Sequence, residues 1–445
     1  METVNGLSKT GILGAKAKMK ADPDMAKDAK VTVKATWNKG VITGVDGRLV
    51  CHPPPEIAKI VGYPSMNSYC PLISAACFSI IFMIKAAEED HQFETFETDM
   101  RADADFSCFY KPDKSEVAPW GKKGVYLDIR MTGRPTQMEI DELGEHAENH
   151  CPSVEIMRRE FPVFVTLKNT QVDIDEAEFP ICYDMDKFRA ISESEEKHIV
   201  KQHAQGKWYC YNENKEHPDS MMAFEFLHDG RSKVPLSNDK PVHNGIYANP
   251  VQACFFGGLS THMHTVAMLL YSKGYNIKSM EGQLTTVMNK RIPMGADKER
   301  KGYIFPKGTD LLITIESNAP DDVVEQIQME AEGRSPALMN WLNTIRMKMR
   351  LLKEDWETSS AEGSVSEGSL FSNESGESDL FDDPDESTSN HNVTTSSTPN
   401  PDDQATTSYL KGWGNFLQRY KRSRERIKRK QRRLKKKAQE GGSAK

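Results

Sequence analysis

The sequence lacks the features that most often give a cysteine-containing chain its function. None of its eight cysteines forms a Cys-x-x-Cys pair, and the chain has 445 residues, so neither a zinc ribbon nor a small disulfide scaffold is indicated. The segment 1–28 contains no apolar stretch long enough for a secretory signal and includes several acidic residues, which is unlike a mitochondrial presequence. We therefore expect a reducing intracellular location, cytoplasmic or nuclear, where paired cysteines tend to be catalytic or redox-active.

Apolar runs typical of a membrane span are also missing. The run at 71–84 is too short to cross a bilayer, and the run at 253–271 contains two histidines and two glycines. Both runs predict buried core helices, so we expect no transmembrane segment.

Charge of one sign is absent over a long stretch. No Lys or Arg occurs between Lys353 and Lys411, and Ser, Thr, Asp and Glu dominate there. The segment 354–408 is predicted to form a disordered acidic linker, because such a segment cannot bury enough apolar surface to offset the entropy of ordering. The Lys/Ala/Asp-rich segment 1–28 is also predicted to be disordered.

The last segment, 409–445, reverses the charge. Thirteen Lys or Arg residues and one acid occur between Arg419 and Lys437. Such a basic tail is typical of a nuclear-localisation or nucleic-acid-binding segment. It would also suit another polyanion, an acidic membrane surface or the acidic linker of the same chain.

What the sequence does contain is an internal repeat without a net insertion between its two main sites. At the offset that places Cys77 on Thr261, Cys151 falls on Ser335, so the two sites of each copy have the same separation. Shared alternating and helical apolar patterns at one register indicate two copies of one fold. Aligned positions include Val125, Leu127, Ile129 and Met131 with Thr309, Leu311, Ile313 and Ile315.

Each predicted copy reads as strands, a central helix, further strands and a second helix. This order predicts an α+β fold with helices on one face of a mostly antiparallel sheet. We place the copies at 29–170 and 171–353. The predicted helices are 70–87 and 136–150 in the first copy, and 250–273, one from Pro320 and an added helix at 336–354 in the second.

The surroundings of the two cysteines resemble a known family. Cys77 lies in the apolar segment CPLISAACFSII and Cys151 begins CPSVEIM. Together with ATWNKGVITGVDGRLVCHPPPE in the first copy and NPVQACFFGGLST and YSKGYNIKSMEGQL in the second, they resemble the OsmC/Ohr family of organic-hydroperoxide-resistance thiol peroxidases. The resemblance covers about residues 31–350.

The resemblance implies a reaction and an arrangement. Cys77 would be the peroxidatic thiol and Cys151 the resolving thiol, acting on an organic hydroperoxide and a dithiol reductant without a cofactor or metal. Family members are homodimers, so two fused copies would form an intramolecular pseudodimer in which the second copy, with Thr261 and Ser335, is structural.

The family activates its cysteine with an arginine and a glutamate. The glutamate position, ten residues before the cysteine, is Asn67 here and Val251 in the second copy. Arg48 is the upstream candidate for the activating arginine.

Other interpretations remain open. In one of them, Cys77 and Cys151 are ordinary buried residues without a reaction. In another, Cys70 takes the place of Cys151 as the resolving thiol, because it lies on the same helical face as Cys77. His146, Glu148 and His150 crowd the end of one helix beside Cys151, but their order does not match the zincin motif, and we expect no metal there. The chain is accordingly either a peroxidase or an OsmC-like scaffold that acts through its acidic linker and basic tail.

Overall fold

The computed structural model of the chain describes most of the stretch 3–354, which belongs to one compact unit. The segments outside the described residues are 1–2, 46, 48, 60–63, 67–68, 112–118, 121–123, 212–218, 227–232, 237–248, 297–301, 346 and 355–445. The acidic linker and the basic tail therefore lie, apart from Glu354, outside the described residues.

Helices and strands alternate along the chain. The helices are α1 Lys9–Ala21, α2 Tyr69–Glu88, α3 Ser107–Tyr110, α4 Gln137–His150, α5 Pro152–Arg158, α6 Met185–Glu193, α7 Pro250–Ser272, α8 Asp321–Arg334 and α9 Pro336–Trp341. The strands are β1 Thr3–Val4, β2 Leu7–Ser8, β3 Ala29–Asn38, β4 Val41–Gly44, β5 Leu49–Cys51, β6 Phe93–Asp105, β7 Val125–Gly133, β8 Val163–Gln171, β9 Ile199–Tyr211, β10 Asp219–Phe226, β11 Lys233–Leu236, β12 Ile277–Met288, β13 Thr309–Ser317 and β14 Met347–Lys353.

Two six-stranded sheets each take strands from both predicted copies. One sheet has the order β5-β4-β3-β12-β13-β8 and the other β11-β10-β9-β6-β7-β14. Val31 of β3 pairs with Thr286 of β12, and Asp99 of β6 pairs with Gln205 of β9. Each sheet therefore contains strands from both sides of the boundary predicted at residue 170, so neither predicted copy forms a sheet by itself.

The apolar helices lie between the two sheets. Helix α7 packs on β3 and β12, helix α2 packs on β6 and β9, and the two helices pack on each other. A Cβ on Gly282 of β12 would lie 2.6 Å from Met263 Sδ, so the absence of a side chain there allows α7 to approach the strand closely. Helix α7 is long and apolar enough to cross a membrane, but its apolar stretch is wholly buried within the chain.

Local sequence explains the elements that end at the cysteines. Val125, Leu127, Ile129 and Met131 alternate along β7 and are buried, as their period of two predicts. Helix α4 then begins at Thr136, whose side chain forms a reciprocal capping box with Glu139. The following helix, α5, begins with proline, whose fixed φ and missing N–H suit the first helical position.

Several expectations are confirmed at the level of elements. The fold is α+β, with helices at the predicted positions 70–87, 136–150 and 250–273 to within one residue at either end. The sheets are mostly antiparallel, and among the named strands of the described residues the edge strands β8 and β14 pair in parallel. The offset of the sequence repeat carries both ends of β7 onto the ends of β13, and both ends of α4 onto the ends of α8.

The added helix predicted at 336–354 is wrong. Helix α9 ends at Trp341, and Met347–Lys353 instead forms β14, paired with β7. Its Met and Leu residues favour a helix in isolation, but Met347, Met349 and Leu351 alternate onto the core. Arg350 on the other face pairs with Asp128, so tertiary contacts override the local preference.

The disorder predicted for residues 1–28 is also wrong. Ser8 caps α1, which contains buried Met19 and a buried Lys16 that pairs with Glu88. The guanidinium of Arg291 donates to the carbonyl of Asp22 at 2.9 Å. These contacts with distant residues order a segment that has little apolar surface of its own.

Candidate functional site

Cys77 lies in the middle of α2, the apolar helix between the sheets. Its side chain is 4% exposed. Because α2 starts at Tyr69, Cys77 is about two turns from the helix N-terminus, where the helix dipole has little effect on a thiolate.

Cys151 lies at the junction of two helices. It ends α4 and caps α5, and its side chain is 1% exposed. Its Sγ is 3.1 Å from the hydroxyl oxygen of Ser153, and the backbone N–H groups of Ser153 and Val154 lie near it and lower its pKa. The thiolate form of Cys151 therefore has several hydrogen-bond donors around it.

The fold brings the two predicted thiols close enough together for each to affect the ionisation of the other. The neighbouring Cys151 raises the pKa of Cys77 well above its ordinary value, and burial raises it further. Burial alone would raise the pKa of Cys151, but Cys77, the Ser153 hydroxyl and the backbone N–H groups at the start of α5 outweigh it and lower the pKa. When the pair loses one proton, these donors favour the anion on Cys151.

A narrow crevice with about 160 Å³ of empty space borders Cys77, and its walls stand too close together to admit a water molecule. These walls come from α2, from α5, from the start of α7 and from the loop before β13. The lining residues are Cys77, Pro152, Ser153, Ile156, Pro250, Val251, Cys254 and Phe305. Cys151 is not among them, so of the two thiols Cys77 is the one that borders the crevice.

The wall residue Phe305 is held by a buried ion pair that the sequence did not reveal. Glu155 accepts hydrogen bonds from the backbone N–H groups of Ile304 at 2.9 Å and Phe305 at 3.1 Å. Arg159 donates to both Glu155 and the carbonyl of Phe305 at 2.7 Å. The four-residue spacing of Glu155 and Arg159 was a visible signal of a helical pair, but their use in fixing a loop depends on the tertiary fold.

Of the positions predicted to activate or resolve Cys77, the structure describes some and not others. Arg48 and Asn67 lie outside the described residues, and Cys70 is in the first turn of α2 with its side chain likewise outside. Val251 lines the crevice. An apolar side chain from the second half therefore stands at this wall, in the position where the resemblance would place a carboxylate.

The counterpart positions in the second half carry no thiol pair. The Thr261 hydroxyl donates to the carbonyl of Gly257 at 2.6 Å. The hydroxyl of Ser335 is buried and has no hydrogen-bond partner among the described residues. Trp341 packs against Gly258, where a Cβ would lie only 1.9 Å from the indole.

The histidines do not gather into a metal site in the part of the chain that the structure describes. His146 and His150 stack at 3.9 Å between ring centroids. On α7, His264 is within 2.8 Å of the Tyr183 hydroxyl, whereas neither ring nitrogen of His262 has a hydrogen-bond partner within the described ranges. Burial lowers the pKa of both α7 histidines to about 3, so both are neutral.

Comparisons with known proteins give a faint structural likeness. No protein-family model matches the chain, and no curated protein matches it in sequence. The chain is similar to the crystal structure of an OsmC-like protein from Mycoplasma pneumoniae, with 15% identity and a TM-score of 0.23. That match covers 32% of this chain and 90% of that chain.

Proposed function

We propose that the chain is a thiol-dependent peroxidase that reduces organic hydroperoxides through Cys77 and Cys151. The observation that carries this proposal is the proximity of the two buried thiols beside a crevice that Cys77 lines. An apolar core needs no such thiol pair, and interacting ionisable groups in a cleft are typical of a functional site.

The chemistry follows from access and ionisation. Once the pair has lost one proton, transfer of the remaining proton from Cys77 to Cys151 leaves the thiolate on the sulfur that faces the crevice. That thiolate attacks the terminal peroxide oxygen and breaks the O–O bond, giving a sulfenic acid and an alkoxide that takes the proton to become the alcohol. Cys151, again a thiolate, then attacks the sulfenic sulfur, and the leaving hydroxide takes up a proton to become water. An external dithiol reduces the resulting disulfide.

The walls of the crevice favour a particular substrate class. Pro152, Ile156, Pro250, Val251 and Phe305 give it an apolar lining. Once the walls move apart to admit a substrate, this lining favours an alkyl or aryl group over water. Organic hydroperoxides should therefore be preferred to hydrogen peroxide.

The two halves of the chain act as a pseudodimer in this proposal. Its support is the matching order of the two sheets and the wall that the second half contributes to the crevice. The second half is then structural, because Thr261 and Ser335 cannot form a disulfide.

The proposal is tested with purified full-length protein, cumene hydroperoxide and a dithiol. Cys77→Ser should reduce turnover to the uncatalysed rate, whereas Thr261→Ala, at the counterpart position, should leave it unchanged. Mass spectrometry after one equivalent of hydroperoxide should find Cys77 linked to Cys151. A Cys77 thiol that stays reduced in the folded wild-type chain would contradict the proposal.

A second function is favoured by Val251 standing where the family has its glutamate and by the raised pKa of Cys77. In this alternative the chain is an OsmC-like scaffold that acts in the cytoplasm or nucleus through its acidic linker 354–408 and basic tail 409–445. The tail would bind nucleic acid or another polyanion, and its affinity should fall steeply with salt because bound cations on the polymer are released. Titration of the full chain with nucleic acid at low and physiological salt tests this, and a flat response would exclude phosphate-backbone binding by the tail.

A further inference from the structure

A third cysteine faces the crevice from the opposite half of the chain. Cys254 lies one turn into α7, beside Pro250 and Val251, and lines the same crevice as Cys77. Of the six cysteines whose side chains the structure describes, five are buried and Cys254 is partly exposed. It is therefore the thiol of this group that an external molecule reaches first.

We propose that Cys254 is a relay thiol that carries oxidation from the Cys77–Cys151 disulfide to an external dithiol. This rests on the proposed peroxidase function and adds a residue from the second half to its reductive step. The Cys254 thiolate attacks the Cys77 sulfur, so that the Cys77–Cys254 bond forms, the Cys77–Cys151 bond breaks and Cys151 leaves as a thiolate. An external dithiol then reduces the Cys77–Cys254 disulfide, becomes oxidised and returns both thiols.

The direction of this exchange follows from the surroundings of the leaving sulfur. The Ser153 hydroxyl donates a hydrogen bond to the Cys151 thiolate, and the backbone N–H groups at the start of α5 lie near it. A stabilised thiolate leaves a disulfide faster. Cys151 is also fully enclosed, which keeps an external dithiol from reaching it directly. The partly exposed Cys254 can react both with the buried disulfide and with an external dithiol.

The repeat singles out the same residue. At the offset that places Cys77 on Thr261, Cys70 falls on Cys254, and this is the only place where a cysteine of the chain falls on another cysteine. The second half has lost the cysteines corresponding to Cys77 and Cys151 and has kept this one. If the cysteines served only catalysis within their own half, Cys254 would be expected to be lost as well. Its presence is explained if Cys254 serves the site of the first half.

The geometry is tested without any peroxide. Full-length Cys151→Ser protein is treated with diamide, alkylated and analysed by non-reducing peptide mass spectrometry. We expect a Cys77–Cys254 disulfide, since such a bond requires Cα atoms within about 7 Å. Circular dichroism establishes that the variant is folded. Folded protein in which Cys77 forms no bond with Cys254 would overturn the relay, whether or not hydroperoxide turnover exists.

The kinetics are tested on the pre-formed disulfide. Wild-type, Cys254→Ser and Cys182→Ser chains are oxidised with diamide, and their reduction by a dithiol is followed. Cys182, whose thiol donates to the Pro180 carbonyl, is a matched control because a serine can make the same bond. Cys254→Ser should slow reduction at least about tenfold, with the control unchanged. Equal rates for all three chains would overturn the relay, whereas failure of the wild type to react with hydroperoxide would overturn only the proposed function.

Discussion

The junction at Cys151 and the junction at Ser335 have the same backbone and different chemistry. Cys151 N–H donates to the Ala147 carbonyl and Ser335 N–H to the Ala331 carbonyl, both at 2.9 Å, and a proline-led helix follows each. In the first half the side chain meets a second thiol, whereas Ser335 has no side-chain partner among the described residues. The comparison teaches that this helix junction does not need a thiol in order to form.

The helices that face these junctions differ in the same way. Cys77 on α2 reaches Cys151, but Thr261 on α7 is satisfied by its own helix through the Gly257 carbonyl. Trp341 occupies the space beside Gly258, where the first half has a Ser74 hydroxyl 3.5 Å from the Met157 sulfur. The second half therefore has a glycine packed against an indole where the first half has Ser74 beside Met157.

Replacing Cys151 with serine, the residue at the corresponding junction of the second half, should have the largest effect on activity. Cys151→Ser removes the thiol that is proposed to resolve an oxidised Cys77, so we expect dithiol-dependent turnover to stop. The sulfenic acid on Cys77 should then proceed to the sulfinic acid with excess hydroperoxide. Intact-protein mass spectrometry measures the added oxygen atoms. Sustained wild-type turnover in this variant would remove Cys151 from the reaction.

Introducing the Ser74 side chain of the first half at the corresponding position of the second half, Gly258, should lower the free energy of unfolding. Gly258→Ser places a Cβ within van der Waals overlap of Trp341, and overpacking of this kind typically costs about 3 kcal/mol. Urea unfolding measures the change in the free energy of unfolding. The double variant Gly258→Ser/Trp341→Met copies the Ser74–Met157 pair and should recover part of the loss. An unchanged midpoint for the single variant would show that the indole moves aside freely.

A smaller effect is expected from the buried histidine of α7. Position 262 corresponds to Phe78 of α2, and His262→Phe removes two ring nitrogens that lack hydrogen-bond partners within the described residues. We expect a gain of about 1–2 kcal/mol in the free energy of unfolding at neutral pH.

The same substitution should change the response to acid. The folded pKa of His262, about 3, lies below its ordinary value of 6.5, so the unfolded chain binds the proton first as the pH falls. Stability held above pH 6.5 is thus lost progressively towards pH 3. Chemical unfolding at several pH values should show a shallower loss in His262→Phe, and parallel pH profiles for the two chains would contradict this.

The smallest effect concerns Ser153, whose counterpart is Ala337. Ser153→Ala removes a hydrogen bond that stabilises the Cys151 thiolate and so raises its pKa, by up to about one unit. In a plot of the rate of disulfide formation against pH, the fall of the rate on the acid side should move to higher pH by the same amount. Stopped-flow fluorescence across the pH range measures this shift, and Val154→Ala, which keeps the backbone donor, is the control.

The sequence predicted the elements that have strong periodicity and missed those that depend on distant partners. The apolar pattern of 250–273 and the proline after Cys151 helped to predict helices α7 and α4 to within one residue at either end. The strand at Met347–Lys353 was predicted as helix because its partner β7 lies in the other half of the chain, and such a pairing is not visible locally. The helix Lys9–Ala21 was missed for the same reason, since Glu88 and Arg291 order it.

For the candidate site, the spacing of the repeat led to the prediction of Cys77 and Cys151 but did not show how the two thiols affect each other's ionisation. The resemblance pointed to an arginine and a glutamate, whereas the described donors around Cys151 are Ser153 and two backbone N–H groups. Helix-end donors of this kind follow from Cys151-Pro152 ending one helix and starting the next. The contribution of Cys254 from the other half depends on the packing of α2 against α7, which no local pattern encodes.

The exchange of strands between the sheets has a consequence for the chain as it leaves the ribosome. Strand β3 is translated early, but its neighbour β12 follows about 250 residues later, which at ordinary elongation rates is a delay on the order of 10–50 s. Throughout that interval one edge of a nascent three-stranded ribbon stays open to other chains. A premature stop after the first half would make the exposure permanent, so such a fragment should aggregate when it is synthesised alone. It should stay soluble when the missing half is supplied in the same cell.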